Sequence, residues 1–282
     1  MADDRYMRIG STRGRIGPLI VLSLGLAACG AENVASKPTA TTATNAAVRS
    51  NQTAPPQGVD VPSAQWLRIE GAGGRSNNVQ VAAVLRPQAS GAFPLVIYLH
   101  GGEGLLLGDV SAAAHLALAG FTVVAGCWSF SPAEPFVHNG ISSPRIPCLE
   151  NVANADDATR ALVEVGQQLP GVKKGAVGLV GVSNGGPQAI SYSTTTPDIK
   201  AVVVDSSPPG PLKVSVPVLM LGGAADSVVS VQSQQTYEQT LRNSGSTVEA
   251  HYYEGGKHVI VVGEFQEDAI KRIADFYGRY LK

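Results

Sequence analysis

The chain has 282 residues, 44% of them apolar and 15% charged, and its formal net charge is −1. That balance belongs to a folded globular protein and excludes both a disordered polyelectrolyte and a basic nucleic-acid-binding surface. The three Cys and five His are too few and too scattered for metal-ligand spacing, and no cofactor is expected.

In chain order, residues 1–28 come first, with Arg5, Arg8, Arg13 and Arg15 ahead of the uncharged run "IGPLIVLSLGLAA". A basic stretch followed by a short apolar one is the pattern of a secretory signal, and the run is too short to span a bilayer as a helix. The residues "LAAC" at 26–29 resemble the lipobox of bacterial lipoproteins. The resemblance implies cleavage before Cys29, acylation of that cysteine with chains such as palmitate, and a lipid anchor in the bacterial envelope. Gly30 stands where an aspartate would favour inner-membrane retention, so the expected site is the outer membrane, facing the periplasm. Met7 also fits as a start. Loss of residues 1–28 would remove four Arg and two Asp, a net +2, and leave a charge of −3.

From residue 29 to 62 the chain is rich in Ala, Thr, Ser, Asn, Gln and Pro, too poor in large apolar side chains to offset its ordering entropy, and it reads as a disordered tether. The folded body is expected over 63–282. "QWLRIE" and "VQVAAVLRP", on either side of "GAGGRSNN", predict an antiparallel pair of strands. The turn sequence is a hairpin connection, not a nucleotide-binding fingerprint.

Then the texture changes. Short β-branched runs at 94–100, 121–126, 176–182, 200–205, 216–223 and 247–253 alternate with helical candidates at about 110–119, 152–169, 185–194, 231–243 and 264–281. This alternation predicts one α/β domain, a mostly parallel doubly wound sheet of about eight strands with helices on both faces.

Within that frame "VGLVGVSNGG" at 177–186 places Ser183 in a Gly-x-Ser-x-Gly sequence. A chain this rich in Gly would contain about 0.3 such matches by chance, so the context must decide. A strand precedes Ser183 and a helix-competent segment follows it, as a nucleophile elbow requires. Downstream, Asp226 follows the strand in "VPVLMLGGAAD" and His258 follows the next one in "YYEGGKH", both at the sheet edge where α/β folds build their sites.

"GVSNGG", "PVLMLGGAAD" and "YYEGGKH" together resemble the dienelactone hydrolase branch of the α/β-hydrolase fold, over most of 64–282. The resemblance implies a triad of Ser183, Asp226 and His258. Its founding members carry cysteine where this chain has Ser183, which argues against dienelactone itself as substrate; several related esterases share the serine.

Asp205, at the end of the preceding strand, is the alternative acid. His251, His115 and His138 are read as packed or solvated residues. "HGGEG" at 100–104 resembles the oxyanion loop of esterases, with His100 structural. The backbone N–H groups of Gly102 and Asn184 are the expected oxyanion donors, worth commonly about 3 kcal/mol each, with Glu103 next if the loop shifts.

In an oxidising compartment Cys127 and Cys148 are expected to pair and to close a loop beside the site, with Trp128 and Phe130 as candidate lining. The expected function is serine hydrolysis of a small-molecule ester. The alternatives are an acylpeptide or dipeptide hydrolase with the same triad, and a non-catalytic envelope-binding lipoprotein. No nucleic-acid partner is expected, and oligomeric state is not legible.

Overall fold

Runs such as Thr122–Gly126, buried at every position, carry no polar face because a strand inside a parallel sheet is covered on both sides. A computed structural model describes residues 48–281 apart from 57–58, 72–78, 132–133, 139–140 and 149–153. Its main sheet contains β1 (Arg49–Gln52), β2 (Gln65–Glu70), β3 (Val79–Leu85), β4 (Phe93–Leu99), β5 (Thr122–Gly126), β8 (Val172–Val182), β9 (Ile199–Asp205), β10 (Val218–Gly223) and β11 (Val248–Tyr253). A separate two-stranded hairpin, β6 (Phe136–His138) with β7 (Ile141–Ser143), lies between β5 and β8 in sequence.

The order across the main sheet is β1-β2-β3-β5-β4-β8-β9-β10-β11. The pairs β1/β2, β2/β3 and β3/β5 are antiparallel, and every pair from β5 to β11 is parallel. The sheet is thus the mostly parallel α/β-hydrolase sheet expected, with nine strands among the described residues where about eight were expected.

The extra strand is β1. It corrects the expectation of a disordered tether through residue 62: Arg49 to Gln52 register against Glu70 to Leu67, the Thr53 N–H donates to the Trp66 carbonyl at 3.0 Å, and Val59 is buried. Four polar, exposed residues give no apolar alternation to read, because an edge strand is held by backbone hydrogen bonds alone. The expected signal peptide, Cys29 and the part of the expected tether before residue 48 lie outside the described residues. No helix among the described residues is long and apolar enough to cross a membrane.

Alternation along each strand splits the core in two. Val96 and Tyr98 of β4, Val180 and Val182 of β8, and Ala201 and Val203 of β9 face one layer; Leu95, Ile97, Leu99, Val177, Leu179, Val202 and Val204 face the other. The first layer is closed by helices α1 (Leu107–Leu118) and α5 (Gln266–Tyr280), the second by α2 (Ala155–Gln168), α3 (Gly185–Thr195) and α4 (Val231–Asn243).

Helices α2 and α4 start at side-chain caps. Asn154 accepts from the Asp156 and Asp157 N–H groups at 2.9 and 3.4 Å, and Ser230 accepts from Ser233 N–H at 3.2 Å. Because β4, β8, β9, β10 and β11 run parallel, the segments that follow them all emerge at one edge. His100, Ser183, Asp205, Asp226 and His258 lie there.

Candidate active site

Ser183 follows β8 directly and adopts φ +48°, a left-handed conformation rare for a residue with a side chain. Its N–H donates to the Asp205 carbonyl at 2.8 Å, which anchors the turn to the neighbouring strand. The flanking glycines follow from close approach: a Cβ on Gly181 would collide with the Gly185 carbonyl, and one on Gly185 with the Leu99 carbonyl. Strand and helix can meet this tightly only without side chains at both positions. Backbone strain held in this way is typical of a functional turn.

The imidazole of His258 reaches Ser183 from the loop after β11. Its Nε2 lies 3.1 Å from Ser183 Oγ and its Nδ1 2.8 Å from Asp226 Oδ2. An ionised carboxylate only accepts, so Nδ1 carries the proton and Nε2 is left to accept from the serine hydroxyl. The other carboxylate oxygen of Asp226 is fixed by the Val228 and Val229 N–H groups at 2.8 and 2.9 Å. The Asp226 side chain is fully buried, whereas that of His258 is partly open to solvent.

Asp205, the alternative acid, makes no hydrogen bond to the imidazole, which pairs with Asp226 and Ser183. It is fully buried, and its carboxylate accepts from the Ile260 and Val261 N–H groups at 3.2 and 2.9 Å and from the Ser206 hydroxyl at 3.0 Å. Burial pushes its pKa up to about 6 against these hydrogen bonds and the nearby His258. The sequence reading missed Ser206, which sits at φ +50° and accepts from the Val259 N–H at 3.0 Å. No motif marks it; the only signal is "DSS" at the end of a buried strand.

The oxyanion loop enters the same edge from β4. Among the described residues neither Gly102 nor Asn184 has its N–H engaged by another protein group, and the Glu103 N–H is free as well. A Cβ built on Gly102 would lie 2.6 Å from the Asn184 side-chain nitrogen, so the two candidate donors are neighbours. The Glu103 carboxylate leans over Gly101, next to Ser183.

His100 is fully buried. Its Nδ1 lies 2.8 Å from the Gly101 carbonyl, its Nε2 has no partner among the described residues, and burial lowers its pKa to about 4. It is therefore a neutral structural ring. Trp128 is buried beside it and donates its indole N–H to the His100 carbonyl at 2.9 Å, so it packs under the loop. Phe130 is 70% exposed.

Cys127 and Cys148 form a disulfide with Cα atoms 5.7 Å apart. The chain it closes, expected to be a plain loop, contains the β6/β7 hairpin and is sewn to the oxyanion loop. Ile146 N–H donates to Leu105 O at 2.8 Å, Leu107 N–H to Pro144 O at 3.0 Å, and Arg145 Nε to Glu103 O at 2.5 Å. The Ser131 hydroxyl bridges the two segments, accepting from Leu105 N–H and donating to Ile146 O.

The remaining histidines lie elsewhere. His251 stacks edge-on against Tyr253 within β11, His115 bonds back to the Ser111 carbonyl on α1, and His138 ends β6. Among the described residues no group of three or more His, Cys, Asp and Glu is arranged to hold a metal ion.

Comparison with known proteins agrees with this architecture. The profile of the dienelactone hydrolase family matches residues 81–276. A Klebsiella pneumoniae protein described as a dienelactone hydrolase superposes with a TM-score of 0.60 at 19% identity, covering 83% of this chain and 100% of that one. An esterase of Pyrobaculum calidifontis gives 0.59 at 19% identity, covering 78% and 86%. The acylaminoacyl peptidase of Pyrococcus horikoshii gives 0.55 at 14% identity, and the overlap spans 80% of this chain but 49% of that larger one. Among curated proteins no sequence matches the chain. The chain belongs to the dienelactone hydrolase family and is a hydrolase of α/β-hydrolase fold.

Proposed function

We propose that this member of the dienelactone hydrolase family is a serine hydrolase of small-molecule carboxylic esters, working through an acyl-enzyme on Ser183. The observation that carries the reading is the unbroken relay from Ser183 Oγ to His258 at 3.1 Å and from His258 to Asp226 at 2.8 Å. A serine hydroxyl is a weak nucleophile near neutrality and needs an adjacent base, itself oriented by an acid.

In the first half-reaction Ser183 Oγ attacks the ester carbonyl carbon while its proton passes to His258 Nε2. The carbonyl oxygen becomes an oxyanion facing the free N–H groups of Gly102 and Asn184. Collapse breaks the bond to the alkoxy oxygen, which takes the proton from Nε2 and leaves as alcohol. Water then attacks the acyl carbon, His258 accepts its proton, and return of that proton to Ser183 Oγ releases the carboxylic acid. Asp226 stays ionised throughout and stabilises the imidazolium.

The test is a panel of p-nitrophenyl esters of increasing chain length together with fluorophosphonate labelling, on the parent and on Ser183→Ala and His258→Ala. Both variants should lose labelling and at least about 10³-fold in kcat while keeping the fold. His251→Ala and His115→Ala should retain most activity. Turnover of N-acyl peptide substrates without ester turnover would assign the chain to acylpeptide hydrolysis. Absence of labelling and of all turnover in the parent would leave a binding module on a hydrolase fold.

The location proposed with this activity is the bacterial envelope, with the enzyme anchored through acylated Cys29. It rests on the basic, apolar and "LAAC" segments in succession. Two or more acyl chains would hold the protein firmly, where a single one gives only marginal binding.

A further inference from the structure

We propose that Asp205 and Ser206 are positioning residues that tie the loops of Ser183, Asp226 and His258 to one another, gripping the His258 loop by its backbone. This rests on the reading of His258 as the base.

Asp205 ends β9 and Ser206 directly follows it, between the strands that deliver the other groups, and each uses main chain and side chain toward different neighbours. The Asp205 carbonyl accepts from the Ser183 N–H at 2.8 Å, and the Ser206 N–H donates to Leu221 O at 2.8 Å, in the strand leading to Asp226. Their side chains turn to the third loop. Ser206 Oγ accepts from Val259 N–H at 3.0 Å and donates its own O–H to Asp205 Oδ1 at 3.0 Å. The Asp205 carboxylate also takes the Ile260 and Val261 N–H groups at 3.2 and 2.9 Å. Three consecutive N–H groups immediately after His258 are therefore held by this dipeptide.

The backbone shows why the grip is needed. Among the described non-glycine residues, φ is positive at Ser183, Ser206 and Val259, at 48°, 50° and 65°. All three belong to this cluster. Val259 is β-branched and is the least suited of them to that region, yet it directly follows His258. Freed of the grip, Val259 would relax to an extended conformation and carry the imidazole with it.

A carboxylate fits where an amide would not. The three groups reaching Asp205 are all donors, and an amide would turn its NH2 toward at least one of them. Tyr98 of β4, Asp109 of α1 and His258 are the titratable groups that face Asp205. Burial raises the Tyr98 pKa well above its ordinary value and keeps that hydroxyl neutral, while an ionised Asp109 opposes a second charge, so the backbone donors, the Ser206 hydroxyl and His258 are what favour ionised Asp205 in this buried position.

The experiment compares Ser206→Gly and Asp205→Asn with the parent on one p-nitrophenyl ester, reading kcat, KM, the pH–rate profile and urea unfolding. Ser206→Gly deletes the hydroxyl while tolerating φ +50°, so it isolates the hydrogen bond from the strain. Both variants should lose about 10- to 100-fold in kcat with KM within about twofold, the signature of a base displaced by a fraction of an ångström to an ångström. Asp205→Asn should in addition move the acidic limb of kcat/KM to lower pH, because a buried negative charge facing the imidazolium is gone.

Parental kcat in Ser206→Gly, or lost stability with kcat per folded molecule intact in both variants, would overturn the proposal. If Asp205→Asn does not fold, Ser206→Gly decides alone. The assignment of the base is judged separately: activity surviving in His258→Ala would refute that reading, whereas an inactive His258→Ala beside a fully active Ser206→Gly would refute only the positioning role.

Discussion

His258 Nε2 and Ser183 Oγ lie 3.1 Å apart although 75 residues separate them in the chain. β9 and β10 stand between the strands that deliver them, so the loop after β11 must turn back across two strand ends to bring the imidazole over the serine. Asp226 meets it on the way, from the loop after β10.

Replacing Asp226 by Asn should lower kcat by up to about 10⁴-fold with the fold retained. The reason lies in the two sides of the carboxylate. Val228 and Val229 N–H groups bind Oδ1 and will keep the amide oxygen of the variant, which turns the NH2 toward His258 Nδ1. Nδ1 must then be the acceptor, Nε2 carries the proton, and the base is disabled. Steady-state kinetics on a p-nitrophenyl ester check this, and an undiminished kcat would remove Asp226 from the relay.

Opening the disulfide should act on stability and on rate. Closing a loop of about 20 residues contributes roughly 3 kcal/mol in the chain-entropy model, so Cys127→Ser with Cys148→Ser should lower the urea midpoint accordingly. The hydrogen bonds from 144–146 to the segment that carries the oxyanion loop predict a second effect, a fall in kcat with the Ser183 relay intact. Equilibrium unfolding and kinetics on the same preparation separate the two. Unchanged kcat would mean that the oxyanion loop holds its shape alone.

Asp109 sets a slope in stability against pH. Its carboxyl is buried, accepts from Tyr98 at 3.0 Å and from Leu106 N–H at 2.8 Å, and burial raises its pKa to about 7. A raised carboxyl pKa means that the unfolded chain loses this proton first, so stability declines as pH rises from about 4 to about 7 and levels off above. Asp205, raised to about 6, adds to the decline in the same direction. Asp109→Asn should flatten the curve over that window, measured by urea unfolding at half-unit pH steps. A parental slope in the variant would show that the carboxyl does not titrate there.

Cys29→Ser should leave an unprocessed precursor in a bacterial host that makes lipoproteins, and labelled palmitate should enter the parent but not the variant. Normal processing of the variant with activity in the soluble periplasmic fraction would replace the anchor with an ordinary signal peptide.

The sequence made the framework legible wherever burial leaves a pattern. The runs that became β4, β5, β8, β9 and β10 are apolar because helices cover both their faces, whereas β11 at the sheet's end is half-buried and carries Glu249 and His251; Ser183, Asp226 and His258 each stand past the end of one of these strands. Asp205 and Asp226 are harder to tell apart in the sequence, since both stand at the ends of buried strands at one edge. Asp205 is the last residue of its strand, while Asp226 lies on a turn whose direction depends on Val228 and Val229. β1 and the β6/β7 hairpin left no comparable trace, because short strands held mainly by backbone pairing need no particular side chains. The positive φ at Val259 has no signature at all, since valine is the residue least expected there.

The polar strand β1 bears on how the catalytic body behaves in concentrated solution. A sheet ends in a row of unpaired N–H and C=O groups, and a long apolar edge recruits strands from other molecules. Arg49, Ser50, Asn51 and Gln52 cover that side of β2, in which Trp66, Leu67 and Ile69 are buried. A chain shortened to begin at Val59 would keep Ser183, Asp226 and His258 and bare β2 as the new rim. Such a chain would gain a template for self-association far from its chemistry, at the end of the sheet opposite β11.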